Sequence, residues 1–222
     1  MLFIVATPIG NLKDITLRAL EALQNSDAII CEDTRRTSIL LNHYQIKKPM
    51  FALNDFNEAK QFPAVIERLK KGENLVLVSD AGTPLVSDPG YKLVRECIEQ
   101  NISIDSLPGP SAVLTALTLS GLPPDKFLFL GYPPEKPSHR IKLFEDILKA
   151  KDIIKMTYIF FVSPYKLLKT LEDINSTLGD IELVLASELT KIHQRVKKEK
   201  VSTLLEQLKS PKGEYVMLFN LS

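Results

Sequence analysis

A chain of 222 residues with 45% hydrophobic content can bury one large core or two smaller ones. Its formal charge of +1 excludes a global electrostatic case for a polyanionic partner, although residues 1–122 carry 12 Lys/Arg against 14 Asp/Glu and residues 123–222 carry 16 against 13. No run approaches the ~20 apolar residues of a transmembrane helix, and MLFIVATPIGN lacks the basic start and apolar length of a secretory leader, so a soluble, cytoplasmic protein without a membrane partner is expected.

In chain order, Leu2–Ala6 reads as a buried strand, Thr7–Asn11 as a loop, and 15–23 as an amphipathic helix capped by Asp14. Ala28–Cys31 repeats the strand, the polar cluster Glu32-Asp33-Thr34-Arg35-Arg36 falls at its carboxyl end, and a helix runs through Leu41. A third strand is expected over Lys47–Leu53 and a helix over Phe62–Leu69, ended by Gly72. Leu75–Val78 is an uninterrupted apolar run of the kind covered on both faces of a parallel sheet. A helix over 91–100, a strand over Ile102–Leu107, the loop Pro108-Gly109-Pro110 and a helix from Ser111 follow. This alternation predicts a mainly parallel, doubly wound α/β sheet.

The pattern breaks at Ser120-Gly121-Leu122-Pro123-Pro124, which places the boundary between an N-terminal α/β domain, 1–120, and a C-terminal α/β domain, 121–222. Strands are expected at Phe127–Leu130, Thr157–Val162, Glu182–Ala186 and Tyr215–Leu221, and helices at Ile141–Lys149, after Pro164 to about Ile174, and at Val201–Leu208. The segment Gln194–Lys200 is ambiguous between strand and helix, and the strand-rich second half predicts a mixed sheet.

The densest chemistry lies in SDAGTPLVSDPG, residues 79–90, a loop at the carboxyl end of a buried strand, where open α/β sheets bind ligands. Gly72–Tyr91 contains no Lys or Arg, and neither does Ile102–Asp125. Phosphate cradles pair backbone donors with a cation, so these loops suit a neutral or partly cationic small molecule better than a polyphosphate. The bland alternative is a pair of structural turns. Cys31 and Cys97 lie in apolar surroundings without metal-ligand spacing and read as reduced core residues; no metal is expected. His43, His139 and His193 are scattered and read as surface or structural residues.

VATPIGN at 5–11, EDTR at 32–35, SDAGTPLVSDPG at 79–90, LPGPSA at 107–112 and SELTK at 187–191, in this order along nearly the whole chain, resemble the ribosomal small-subunit RNA (cytidine-2′-O)-methyltransferase family of the tetrapyrrole methylase superfamily. The resemblance implies two α/β domains with S-adenosylmethionine in the cleft between them, a homodimer, and methyl transfer to a cytidine ribose in the decoding region of small ribosomal subunit RNA. It assigns cofactor contacts to Pro8, to the loop at Asp80, Ala81 and Gly82, to Ser111 and Ala112, to Phe161 and Val162, and to Ala186. A sulfonium cation without phosphate fits the loops' lack of Lys and Arg.

Transfer to a hydroxyl needs alignment and a proton acceptor. The carboxylates at strand ends are Glu32, Asp33 and Glu188, with Glu32 and Asp33 expected to orient the acceptor nucleotide and act in catalysis. Asn11, Arg35 and Lys191 are the expected substrate contacts, Arg35 on a phosphate; an Asp33/Arg35 pair that only fixes a helix start is the alternative. Lys191–Lys200, with five Lys/Arg against one Glu, is the strongest RNA-facing segment, with Arg35 and Arg36 as the other possibility. The chain departs from the family at Val162–Lys166, where members read Glu-Ser-Pro-His-Arg, at Ser187, usually Arg, and at Asn54-Asp55-Phe56-Asn57, usually His-Glu-His-Asn. It also ends at Ser222, short of the C-terminal helical extension many members carry. A tetrapyrrole C-methyltransferase and a non-catalytic cofactor-binding paralogue are the competing readings.

Overall fold

The computed structural model describes residues 1–53 and 58–221; the Asn54–Asn57 variant of the family motif lies outside the described residues. Two compact units divide the chain, Met1–Ser111 and Ala112–Ser222.

The first unit is a five-stranded, wholly parallel sheet built from β1 (Leu2–Val5), β2 (Ala28–Cys31), β3 (Met50–Ala52), β4 (Leu75–Leu77) and β5 (Ile104–Leu107), in the order β3-β2-β4-β1-β5. Period-two alternation splits each apolar run between two cores. Val5, Ile29, Cys31, Val76 and Val78 face α1 (Leu17–Asn25) and α2 (Thr34–His43), while Leu2, Ile30, Leu75 and Leu77 face α3 (Glu58–Lys70) and α4 (Tyr91–Glu99). Both faces are covered, which is why these strands read as continuous hydrophobic runs.

Neighbouring strands β1 and β4 therefore send their following helices, α1 and α4, to opposite faces. This makes the gap between their carboxyl ends the topological switch point, the place where open α/β sheets leave a crevice.

Details differ from the sequence expectation. Asp14 does not cap α1; it lies in a short 3₁₀ turn, Leu12–Asp14, and Thr16 is the cap, its hydroxyl accepting the Ala19 N–H at 3.1 Å. The third strand is only Met50–Ala52. Gly72 ends α3 as expected, with its own N–H on the Leu69 carbonyl and the Glu73 N–H on that of Arg68.

The second unit holds α5 (Ala112–Ser120), β6 (Phe127–Phe129), α6 (Pro137–Ala150), β7 (Thr157–Val162), α7 (Pro164–Leu178), β8 (Glu182–Ser187), β9 (Arg195–Lys200), α8 (Val201–Gln207) and β10 (Tyr215–Asn220). Its sheet runs β6-β7-β10-β8-β9, with only β6 and β7 parallel, so it is mixed as expected. The ambiguous segment 195–200 is a strand, kept at the sheet edge by its charges.

The boundary expected after Ser120 falls nine residues earlier, after Ser111, because α5 packs on β10, β8 and β9. One face of this sheet buries Tyr158, Phe160, Leu183, Leu185, Met217 and Phe219 against α6, α7 and α8. The residues between them, Ile159, Val184, Ala186, Val216 and Leu218, are also buried. They need a cover on the opposite face, and the mainly apolar α5 supplies it.

Candidate functional site

In the first unit three loops meet at the switch point. Thr7 and Gly82 exchange both backbone hydrogen bonds at 2.9 Å, so the loop after β4 adds a one-residue antiparallel bridge beyond β1. The Thr7 hydroxyl donates to the Ser79 carbonyl at 3.3 Å, and the Thr83 hydroxyl to the Pro110 carbonyl at 3.2 Å. A Cβ on Gly109 would stand 2.9 Å from that of Ala6, so the third loop lies on β1 at a distance only glycine permits. Thus VATPIGN, SDAGTP and the LPGP of residues 107–110 form one surface. Ala81 is exposed on it, and its N–H has no partner among the described residues.

The Asp80 carboxylate does not simply face a ligand. One oxygen accepts the Asp33 N–H at 3.1 Å and the other meets Arg36 at 3.3 Å, tying the β4 loop to the start of α2. Burial outweighs these partners and raises the Asp80 pKa above the ordinary carboxylate range; burial likewise raises Asp88 against a hydrogen bond from Ser79.

Asp33 is the cap of α2, accepting the Arg35 N–H at 2.8 Å and gripping the Arg35 guanidinium at 2.6 Å. The Arg35 side-chain and backbone bonds hold the Asp33 carboxyl down at about 2. Glu32 is half-buried at the end of β2 beside this pair. Asn11, an expected substrate contact, spends its side-chain oxygen on the Lys13 N–H at 3.1 Å, capping the 3₁₀ turn. Pro8 is partly exposed, next to the Thr7–Gly82 bridge.

In the second unit the registers set Phe161 and Ala186 on either side of Val216, all three on the face that α5 covers. The Phe161 ring is partly exposed and packs on Phe129 and Tyr132, with centroids 4.8 and 5.6 Å away. Val162, expected beside it, turns into the opposite core and offers only its backbone. Ser111 and Ala112 flank the unit boundary, where Ala112 opens α5.

The SELTK turn follows β8. Glu188 and Thr190 adopt left-handed backbone, φ 51° and 63°, a costly choice for a β-branched residue. The turn is held by Glu188, whose carboxylate accepts from the Lys191 ammonium at 3.1 Å and the Glu214 N–H at 3.2 Å. Burial alone would raise the Glu188 pKa, but these bonds and the Lys191 charge lower it. Lys191 is thus shared between Glu188 and Glu214, 3.5 Å away, rather than extended toward a substrate.

Sequence reasoning missed the Thr7–Gly82 bridge and the Arg36 partner of Asp80, both long-range pairings with no local signal.

A parallel sheet with three loops gathered at its switch point, followed by a mixed sheet, defines the class to which the profile of the Tetrapyrrole (Corrin/Porphyrin) Methylases assigns residues 1–205. Solved structures share the fold: a diphthine synthase (18% identity, TM-score 0.76, 99% of this chain and 89% of that one) and a cobalt precorrin-4 methyltransferase of cobalamin biosynthesis (16%, TM-score 0.72, 98% and 93%). Identity is far higher to two proteins named ribosomal RNA small subunit methyltransferase I. That of Thermotoga maritima is 45% identical, over 99% of this chain and 97% of its own length; that of Escherichia coli O157:H7 is 47% identical, over 98% and 76%. The chain belongs to the tetrapyrrole methylases and, within them, to the ribosomal RNA small subunit methyltransferase I family.

Proposed function

We propose that this protein transfers a methyl group from S-adenosylmethionine to the ribose 2′-oxygen of a cytidine in the decoding region of 16S ribosomal RNA. The observation that carries this reading is the meeting of three family motifs at the β1/β4 switch point, in a chain 45% identical to a ribosomal RNA small subunit methyltransferase over nearly its full length. The residues present suit the cofactor: an unpartnered Ala81 N–H, carboxylates at Asp80 and Asp88, and no Lys or Arg in the loops. Phe161 and Ala186 are the contacts proposed for the second unit. When bound, S-adenosylmethionine supplies a methyl group on a sulfonium that departs as a neutral thioether.

The chain's own work is to orient the ribose and take its proton. Asp33 and Glu188 are held below the ordinary carboxylate range by their partners, which makes both poor bases at neutral pH. We assign the proton to Glu32, with Asp33 fixing Arg35, whose side chain is 88% exposed, for contact with a substrate phosphate. A cytoplasmic homodimer belongs to the same reading; exposed Leu17 and Ile39 supply apolar surface for a second copy, and sedimentation tests it.

The test is tritiated methyl transfer from S-adenosylmethionine to small ribosomal subunits and, in parallel, to a tetrapyrrole. Transfer to the tetrapyrrole alone would establish C-methylation, which VATPIGN and EDTR disfavour. Tight cofactor binding without transfer to either acceptor would make the protein a non-catalytic paralogue.

A further inference from the structure

A second polar site lies wholly within the second unit. The end of α8 and the segment 208–213 lean over β8 and β9 and enclose a groove of about 730 Å³ with Leu185, Ser187 and Tyr215 among its lining residues. Arg195 and Lys197 line it from β9, and Lys209 and Lys212 from the segment 208–213. On one face of a strand, residues two apart are separated by about 6.8 Å, of the order of the spacing between successive phosphates on an extended nucleic-acid strand.

What distinguishes these four cations is that none forms an ion pair among the described residues. Lys197 donates to the neutral Gln207 amide oxygen at 2.9 Å, and the others are exposed without a carboxylate. Glu188, the carboxylate in the lining, already holds Lys191; Lys198, on the other face of β9, pairs with Glu182 at 2.7 Å. A groove with unmatched charge of one sign concentrates counter-ions and holds them without first breaking an internal pair. A volume of about 730 Å³ exceeds what one small anion would fill, and the four cations suit several phosphates rather than one.

We propose that this groove binds consecutive backbone phosphates of the RNA substrate, with Arg195, Lys197, Lys209 and Lys212 as the contacts. The inference rests on the RNA reading above and adds to it the surface that grips the RNA. These contacts fix register and strength, not sequence.

The experiment is filter binding of a labelled 16S RNA fragment to the full chain across a potassium chloride series. Wild type is compared with Arg195→Gln/Lys197→Gln/Lys209→Gln/Lys212→Gln and with a control of equal charge change on other exposed lysines, Lys126→Gln/Lys142→Gln/Lys155→Gln/Lys169→Gln. The groove variant should lower the slope of log affinity against log salt by about 3 and weaken binding about 100-fold at ~0.1 M salt. The control should change the slope by less than about 1. Unchanged S-adenosylmethionine affinity and melting temperature certify folding. An equal loss in both variants, no loss in the groove variant, or RNA that wild type does not bind would each overturn the groove. So would a loss seen on intact subunits but not on naked RNA, which would make the groove a protein contact. Methyl transfer is scored separately: RNA binding through the groove without transfer would sink the proposed function and leave the groove standing.

Discussion

At the ends of β2 and β4, Asp33, Asp80, Arg35 and Arg36 satisfy one another, each carboxylate holding an arginine and a backbone N–H. In the groove beside β9, Arg195, Lys209 and Lys212 meet no carboxylate among the described residues. Matched charge gives geometry: the first region fixes the start of α2 and the loop after β4 against each other, which would pre-organise the proposed cofactor site. Unmatched charge gives attraction at the cost of order, which suits a long flexible polyanion. On the proposed function, the two regions divide positioning from capture.

The largest effect should come from Glu32→Gln. If Glu32 takes the ribose proton, the transfer rate falls about 100- to 1,000-fold while the RNA KM changes little; single-turnover methylation measures this. A normal rate would move the base elsewhere. Next is Asp80→Ala, which removes the link between the two loops and should weaken S-adenosylmethionine binding at least about 30-fold by titration calorimetry, with about 1 kcal/mol of stability lost from the orphaned Asp33 N–H. Unchanged affinity would remove this loop from the cofactor site. Gly213→Ala, at φ +85° with a Cβ that would sit 2.8 Å from the Glu188 carboxyl carbon, should destabilise the second unit by about 2 kcal/mol in denaturant titration. A neutral result would show that the SELTK turn yields freely.

The smallest effect is a pH dependence of opposite sign at two neighbouring carboxylates. With its folded pKa lowered from 3.8 to about 2, Asp33 contributes stability that is complete above its ordinary pKa and lost as pH falls from about 4 through 2. The pH-dependent part of the stability difference between wild type and Asp33→Asn, read from melting curves, should therefore shrink as pH falls from about 4 and be lost below about 2. Asp80 runs the other way: its raised pKa means the folded chain holds that proton more tightly, so its contribution is present in acid and lost as pH rises through the raised value. Asp80→Asn should accordingly match or exceed wild-type stability at neutral pH.

The strands of the first sheet were legible because both of its faces are covered, leaving apolar runs such as Ala28–Cys31 and Leu75–Leu77 that only a parallel sheet explains. That a turn-rich loop follows β4 was legible from Asp, Gly and Pro at a strand's end. The place of α5 was not, since an apolar helix reads the same whichever sheet it covers. Nor were the partners of Lys191: a lysine in a basic run looks free, and Glu214 lies 23 residues away. The groove needs both β9 and the segment 208–213, and nothing local to KIHQRVKKEK announces that Lys209 and Lys212 line the same groove.

The most direct test of the central claim is nuclease digestion and mass analysis of 16S RNA after incubation of small subunits with this protein and S-adenosylmethionine. One 2′-O-methylcytidine in the decoding region, absent with Glu32→Gln, is the expected result. A methyl group on a base or on a tetrapyrrole carbon, or no methyl group at all, would contradict it.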